Sequence, residues 1–372
     1  AVWVSDFYTL VAQHNPTPKD TTRLNRMRGC CVTGAGQAYE TPNRDRLHGR
    51  IYRIVYDSAR SAPPMRLDTA TPAQLVRALS HDNMFWRMTA QRLLVERRRT
   101  DVVPALIQLV NTHTVDSLGL NPGALHALWT LRGLGALTPT SEALTAARRA
   151  LHHPAASLRR AALQLLPRDE QLMRDIFAAG ILPDRTSPTP VEYTVPTGIL
   201  QDADAHVRLE ALLALTEIQP APRAATAVAD LIVHPENARD PWIPDAAAMA
   251  AVQHGGASLT NDILERRTPT SDSLAMRGIA RALTKIARVY AAREETSSIV
   301  AIIQAVPRAS PLVAVTMLDG IAQSWPEEKP PQLSDAQRGA LVTAARGAAP
   351  EVTEAFGRVA ARWKLPEVFR GQ

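Results

Sequence analysis

The feature that most constrains this chain is a short motif that keeps returning along it. An apolar residue and an arginine are followed, three or four positions later, by a small residue and then by leucines. It reads Trp86-Arg87-Met88-Thr89-Ala90-Gln91-Arg92-Leu93-Leu94, then Leu158-Arg159-Arg160-Ala161-Ala162-Leu163, then Val207-Arg208-Leu209-Glu210-Ala211-Leu212. Looser copies centre on Ala127, Ala247, Ala280, Ala314 and Ala355, so that from Ala90 the alanines stand 37, 35, 49, 36, 33, 34 and 41 residues apart. A period in the thirties fits two antiparallel helices and two turns. Such a pair buries its apolar faces only by stacking on neighbouring pairs. The alanine suits a place where two helices cross closely.

The pattern predicts a mainly α fold: an α-solenoid of about eight helical hairpins over residues 71–368. Aromatic residues make up only 5% of the 372, and the abundant alanine and leucine lose little rotamer freedom in packed helices. Turn signals agree. Asp82 and Asp202 are expected N-caps, Thr71-Pro72 places a cap before a proline at the first helical position, and Pro154, Pro235 and Pro241 interrupt the pattern where turns are needed. The 49-residue interval holds a proline-rich insertion, 183–196, expected to be extended.

In the HEAT family an Asp, a later Val-Arg and then an Ala define the second helix of each repeat, and through its best copies, at Trp86, Leu158 and Val207, the tract from about 70 to 365 resembles that family. Armadillo-type and other α-superhelices stay open. The Trp, Gly and Tyr positions of tetratricopeptide repeats are not met.

The array carries no visible catalytic constellation. His152-His153 precedes Pro154 at a turn and is expected to face solvent, with no ligand at metal spacing. His81, His126, His206 and His254 read as structural. Glu96-Arg97-Arg98-Arg99 reads as a solvated helix terminus. Cys30 and Cys31 are adjacent and read as ordinary thiols, since zinc sites favour Cys-x-x-Cys pairs. Gly34-Ala35-Gly36 lacks the third glycine of a dinucleotide fingerprint. No metal site is expected, and no apolar run reaches the roughly 18 residues that span a bilayer.

Charge is uneven. Residues 1–100 hold 16 Lys and Arg against 8 Asp and Glu, whereas the remainder holds 26 against 28. A phosphate-tracking array needs basic residues recurring along its length, so a nucleic-acid partner is disfavoured.

The first 60 residues speak a different structural language. Ala1-Val2-Trp3-Val4-Ser5-Asp6-Phe7-Tyr8 and Gly49-Arg50-Ile51-Tyr52-Arg53-Ile54-Val55-Tyr56 read as two strands joined by a long polar loop, with 61–70 a linker. An isolated strand pair is marginal, so this head is expected to be the last piece of a β domain whose other strands lie upstream.

Trp3-Val4-x-Asp6-x-Tyr8, His14-Asn15-Pro16-Thr17-Pro18 and Glu40-Thr41-Pro42-x-Arg44-Asp45-x-x-His48-Gly49-Arg50-Ile51-Tyr52-Arg53-Ile54 together resemble the final blade of a β-propeller family. These are the putative membrane-bound dehydrogenases of Planctomycetes and Verrucomicrobia, related to sorbosone and glucose dehydrogenases, in which a propeller is followed by HEAT repeats and often by a c-type cytochrome domain. The resemblance implies a periplasmic or secreted protein whose parent uses a quinone cofactor and c-type haem, neither held by this chain, which has no Cys-x-x-Cys-His. It makes Asp6, Arg44, Arg46 and His48 candidates for the edge of a cofactor channel; the competing reading is that Asp45, Arg46 and His48 simply hold the long loop together by hydrogen bonds and an ion pair. The expected partners are proteins: the missing blades, or a redox or membrane partner. The alternative is a stand-alone HEAT-repeat adaptor for a protein or, less favoured, for nucleic acid.

Overall fold

The structure is a computed structural model that describes residues 2–6, 32–33, 39–40, 48–56, 58, 65–178, 180–183, 192–195, 198–257, 259–265 and 271–365. The chain divides into two compact units, Ala1–Met65 and Arg66–Gln372.

In the first unit, strand β1 (Val2–Asp6) and a later strand pair antiparallel. Two short strands, β2 (Val32–Thr33) and β3 (Tyr39–Glu40), pair with each other, and β4 (Arg50–Ile54) is the partner of β1, with Val2 opposite Ile54 and Asp6 opposite Arg50. Every residue of β1 and β4 is exposed. Trp3 and Ile51 keep 65% and 74% of their surface open, so the ribbon buries neither face.

The second unit is a stack of helix pairs. It begins with α1 (Pro72–Ala78) and α2 (Met84–Glu96), α3 (Val103–Val110) and α4 (Pro122–Gly133), α5 (Glu142–Arg149) and α6 (Ala156–Leu165). The fourth pair is α7 (Glu170–Phe177) and α8 (Ala205–Leu215), and between them β5 (Gly180–Pro183) pairs antiparallel with β6 (Glu192–Val195). The fifth inserts an extra turn, with α9 (Pro222–Val233) followed by the short α10 (Pro235–Arg239) and then α11 (Ile243–His254). The last three are α12 (Leu259–Glu265) with α13 (Ser273–Ala292), α14 (Thr296–Ala305) with α15 (Pro311–Ser324), and α16 (Asp335–Ala345) with α17 (Pro350–Trp363).

Second helices pack on second helices, in the order α2, α4, α6, α8, α11, α13, α15, α17. First helices form a parallel row, with α9 on α12, α12 on α14 and α14 on α16. This is an α-solenoid. The motif alanines explain the regularity: Ala90, Ala127, Ala162, Ala211, Ala247, Ala280, Ala314 and Ala355 fall one on each second helix, and all eight are buried, none more than 4% exposed. At the far end two large side chains join the core, Trp325 meeting Trp363 edge to face with both fully buried.

Local chemistry sets the ends. Thr71 forms a capping box with Gln74 ahead of Pro72, and Ser334 forms one with Gln337. Prolines open α1, α4, α9, α15 and α17, where an N–H has no intrahelical acceptor anyway.

Three expectations need correction. The N-caps of α2 and α8 are Asn83 and Asp204, not Asp82 and Asp202, because the chain extends one or two residues further before turning. The insertion is a strand pair at its ends and starts at Gly180, since backbone groups there find partners across the ribbon; residues 184–191 lie outside the described residues. Arg97 is not simply solvated. It donates to the carbonyls of Leu67, Asp68 and Ala70 and so fastens the end of α2 to the turn before α1.

Candidate interaction face and inter-repeat ladder

The arginine of the motif has the same job in its three best copies. Arg87 Nη1 donates to the carbonyls of His81 and Asp82, both at 2.7 Å. Arg159 Nη1 donates to His153 and Pro154 at 2.8 and 2.9 Å, and Arg208 Nη1 to Asp202 and Ala203 at 2.7 and 3.3 Å. Each pair lies six and five residues before its arginine. The turn leading into a second helix leaves these carbonyls without backbone partners, and the guanidinium supplies them.

The residue six positions before the arginine braces the same turn. His81 Nδ1 accepts from the Asn83 N–H, His153 Nδ1 from Ala155 and Asp202 Oδ1 from Asp204, each at 2.9 Å. Histidine and aspartate are interchangeable here because each offers one acceptor at the right reach.

In the second and third copies further guanidinium nitrogens join one repeat to the next. Arg159 grips Asp202 with two bonds of 2.6 Å, both side chains buried. Arg208 Nη2 reaches Glu236 at 3.0 Å, and Arg239 pairs with Asp272. The backbone N–H of Ala275, then Arg239, holds the Asp272 carboxyl below its usual range. Further on, Arg281 donates to the carbonyls of Asp240 and Pro241 and pairs with Asp245. These contacts account for the buried charge. They hold the array together.

The histidines belong to the same scheme. His153 is 1% exposed, not solvent-facing as the turn position implies. With Nδ1 accepting from Ala155, its proton sits on Nε2, which faces the Thr112 carbonyl at 3.0 Å in the preceding repeat. His254 is built alike, its Nδ1 accepting from Ala221 and its Nε2 facing the Leu215 carbonyl at 2.7 Å. Burial pushes both rings below the usual imidazole range, and His126 and His152 likewise. Among the described residues no three His, Cys, Asp or Glu side chains gather to hold a metal, and no helix is long and apolar enough to cross a membrane.

In the first unit Asp6 stands at the end of β1 opposite Arg50, and exposed His48 lies two residues before Arg50, so Asp6 and His48 share one end of the ribbon. Arg44, Arg46, Cys30, Cys31 and the Gly34–Gly36 turn lie outside the described residues. Of the four candidate channel-edge residues, Asp6 and His48 are thus the two among the described residues.

Two features escaped the sequence reading. The first is a row of exposed apolar side chains at the starts of second helices: Met84 and Phe85 on α2, Trp242 beside α11, Leu274 on α13 and Leu312 on α15, each at least half exposed. Beside it Arg277, Arg281, Lys285 and Arg288 stand at i, i+4, i+8 and i+11 on one face of α13. Asp245 of α11 pairs with both Arg281 and Lys285, leaving the stripe in positive excess. The four-residue charge spacing was a visible signal for the stripe. The second feature is a cavity of about 720 Å³ between the turn at Leu200–Ala203, Arg208, α9 and α10. Arg208 and Asn237 are among its lining residues, and Arg208 Nε and Asn237 Oδ1 are themselves buried away from any accessible surface without a partner.

No family model matches the chain, and no curated protein matches it. Among solved structures, the complex of CpcE and CpcF of phycocyanin lyase from Nostoc sp. PCC7120 is 18% identical, with a TM-score of 0.32 over 83% of this chain and all of that one. A designed armadillo repeat protein in complex with the peptide (KR)4 is 16% identical, with a TM-score of 0.23 over 79% of this chain and all of its own. At these TM-scores neither likeness bears on the fold or the function, which rest on the geometry above.

Proposed function

We propose that the α-solenoid is a scaffold that binds a protein partner on the face of its second helices, and that it is the repeat region of a dehydrogenase-like protein related to sorbosone and glucose dehydrogenases. The exposed row carries the first part. Trp242, Leu274 and Leu312 start three successive second helices with 67%, 58% and 50% of their surface open, beside the cations of α13. Aromatic residues, Met and Arg are the types that interfaces favour, and large exposed apolar patches mark binding surfaces. The partner surface that fits is apolar with acidic residues at its rim. Photo-crosslinkers placed at Trp242 and Leu312 are expected to capture the same partner, whereas captures confined to positions on the first-helix row overturn the reading.

The propeller motifs and the order of the units support the second part, as does the open ribbon, which leaves Val2, Trp3, Ile51 and Ile54 exposed, the condition of strands without neighbours. In this reading the quinone site and the c-type haem belong to other parts of the protein. The chain contributes at most a channel edge through Asp6, Arg44, Arg46 and His48, its partners are the remaining blades or a redox or membrane protein, and the compartment is periplasmic or extracellular. The reading frame upstream of Ala1 tests it. Further blades in frame are expected, and a start codon immediately ahead leaves the stand-alone adaptor instead. Purified 1–372 is expected to show no quinone-dependent sugar oxidation, and turnover would overturn this division of labour.

A further inference from the structure

The cations of the second-helix face lie along one helix and not across the array. α11 and α15, the second helices on either side of α13, hold no Lys or Arg. The outer stripe of α13 carries four, with Arg277, Arg281 and Arg288 exposed and Lys285 half-exposed. α11 and α13 run the same way: Arg281 donates to the carbonyls of Asp240 and Pro241 ahead of α11, and Tyr290 to that of Val252 near its end. Trp242 therefore stands level with Arg281, and exposed Leu274 opens the stripe about two turns earlier. At 1.5 Å per residue the stripe from Leu274 to Arg288 is about 21 Å long.

Little within the array answers this charge. Asp245 lies 3.3 Å from Arg281 and 3.2 Å from Lys285, with all three side chains between 36% and 44% exposed. Asp319, on the α15 side, pairs with Arg358 of α17. Arg288 donates to the Ser324 hydroxyl, and Arg277 has no hydrogen-bond or ion-pair partner among the described residues. Exposed ion pairs are weak, so a carboxylate from outside competes with Asp245 on nearly equal terms. A nucleic-acid backbone is a poorer match, because phosphates that track the array need cations on successive helices.

Taking the second-helix face as the protein-binding one, we propose that it receives a short linear acidic segment laid along α13. An apolar side chain of the segment sits between Trp242 and Leu274, and its carboxylates follow the cations to Arg288. About six extended residues cover that length. Asp245 is a built-in competitor, displaced from Arg281 and Lys285 when the segment binds.

Fluorescence anisotropy of the full chain with a labelled peptide, Leu-Glu-Glu-Asp-Glu-Glu, tests this. Saturable binding is expected, about tenfold weaker when alanine replaces the leucine and absent when lysines replace the acids. Arg277→Glu with Arg288→Glu, both at exposed positions, should weaken binding by about tenfold or more, whereas Arg77→Glu on α1 should leave it unchanged. Asp245→Asn should tighten binding by about two- to fivefold, the opposite of what damage to the fold would do. No saturable binding, binding indifferent to the double reversal, or an oligothymidylate that binds as tightly overturns the acidic segment. Unchanged or weaker binding by Asp245→Asn overturns the competitor. A partner crosslinked at Trp242 and Leu312 that the peptide fails to displace leaves the face standing and removes the segment; peptide binding together with captures on the first-helix row does the reverse.

Discussion

Arg159 and Asp202, 43 residues apart in the chain, close a two-bond ion pair in the interior of the array, with both heavy-atom distances at 2.6 Å and both side chains at least 93% buried. The pair ties the start of α6 to the turn before α8. The 49-residue interval and its insertion are thus bridged by a contact that keeps adjacent second helices in register. Arg159 also holds the carbonyls of His153 and Pro154, so its loss strands a buried carboxylate and two carbonyls together.

Arg159→Met is expected to lower stability by about 3–5 kcal/mol, the usual cost of leaving one member of a buried pair alone. Arg159→Met combined with Asp202→Leu should recover most of that, because the orphaned charge is gone. Urea unfolding of the two single variants and the double variant measures it. A double variant no more stable than Arg159→Met alone would show that the turn carbonyls, and not the carboxylate, carry the cost.

Stability should fall as pH drops below about 6.5. His153 and His254 are neutral acceptors in the fold with lowered pKa values, against the ordinary 6.5. The unfolded chain therefore takes up protons first as pH falls. The contribution of each ring is complete above pH 6.5 and is lost as pH falls through the depressed folded value. Thermal midpoints measured from pH 7.5 to 5 should decline, and His254→Gln should flatten part of that slope. An unchanged slope in the variant would mean that protonation of His254 is not coupled to unfolding.

Two glycine-to-alanine changes should have opposite signs. A Cβ at Gly278 of α13 would overlap the Ala238 carbonyl of α10, which is backbone and has no room to yield. Gly278→Ala should therefore cost several kcal/mol, as overpacking against rigid neighbours does. A Cβ at Gly339, exposed within α16, meets nothing within 4 Å, and Gly339→Ala should stabilise by about 0.4–1 kcal/mol through the unfolded state. Paired melting curves decide both.

The alanine period made the array legible because a small residue at a close crossing is a steric requirement, and all eight positions meet it. Turn chemistry was less legible. Asp202 has the composition of a cap, yet its carboxylate serves Arg159, and only the three-dimensional path of the turn assigns the cap to Asp204. The burial of His153 could not be read because its acceptor, the Thr112 carbonyl, comes from another repeat. Trp242 and Leu274 look like core residues in sequence, and their exposure follows from standing just before α11 and in the first turn of α13, clear of the neighbouring pair.

The same logic gives the array's mode of failure. Ala247 is fully buried in α11, which packs between α8 and α13. Ala247→Leu adds three carbons at a crossing with no free volume and should cost about 1–3 kcal/mol. In a stack each pair contacts only its neighbours, so the penalty should stay local. Hydrogen exchange should therefore quicken in α8, α11 and α13 while α2 and α17 keep their protection. Uniform acceleration across the array would instead show that the eight pairs unfold as one cooperative unit, coupled through contacts such as the Arg159–Asp202 pair more strongly than nearest-neighbour stacking allows.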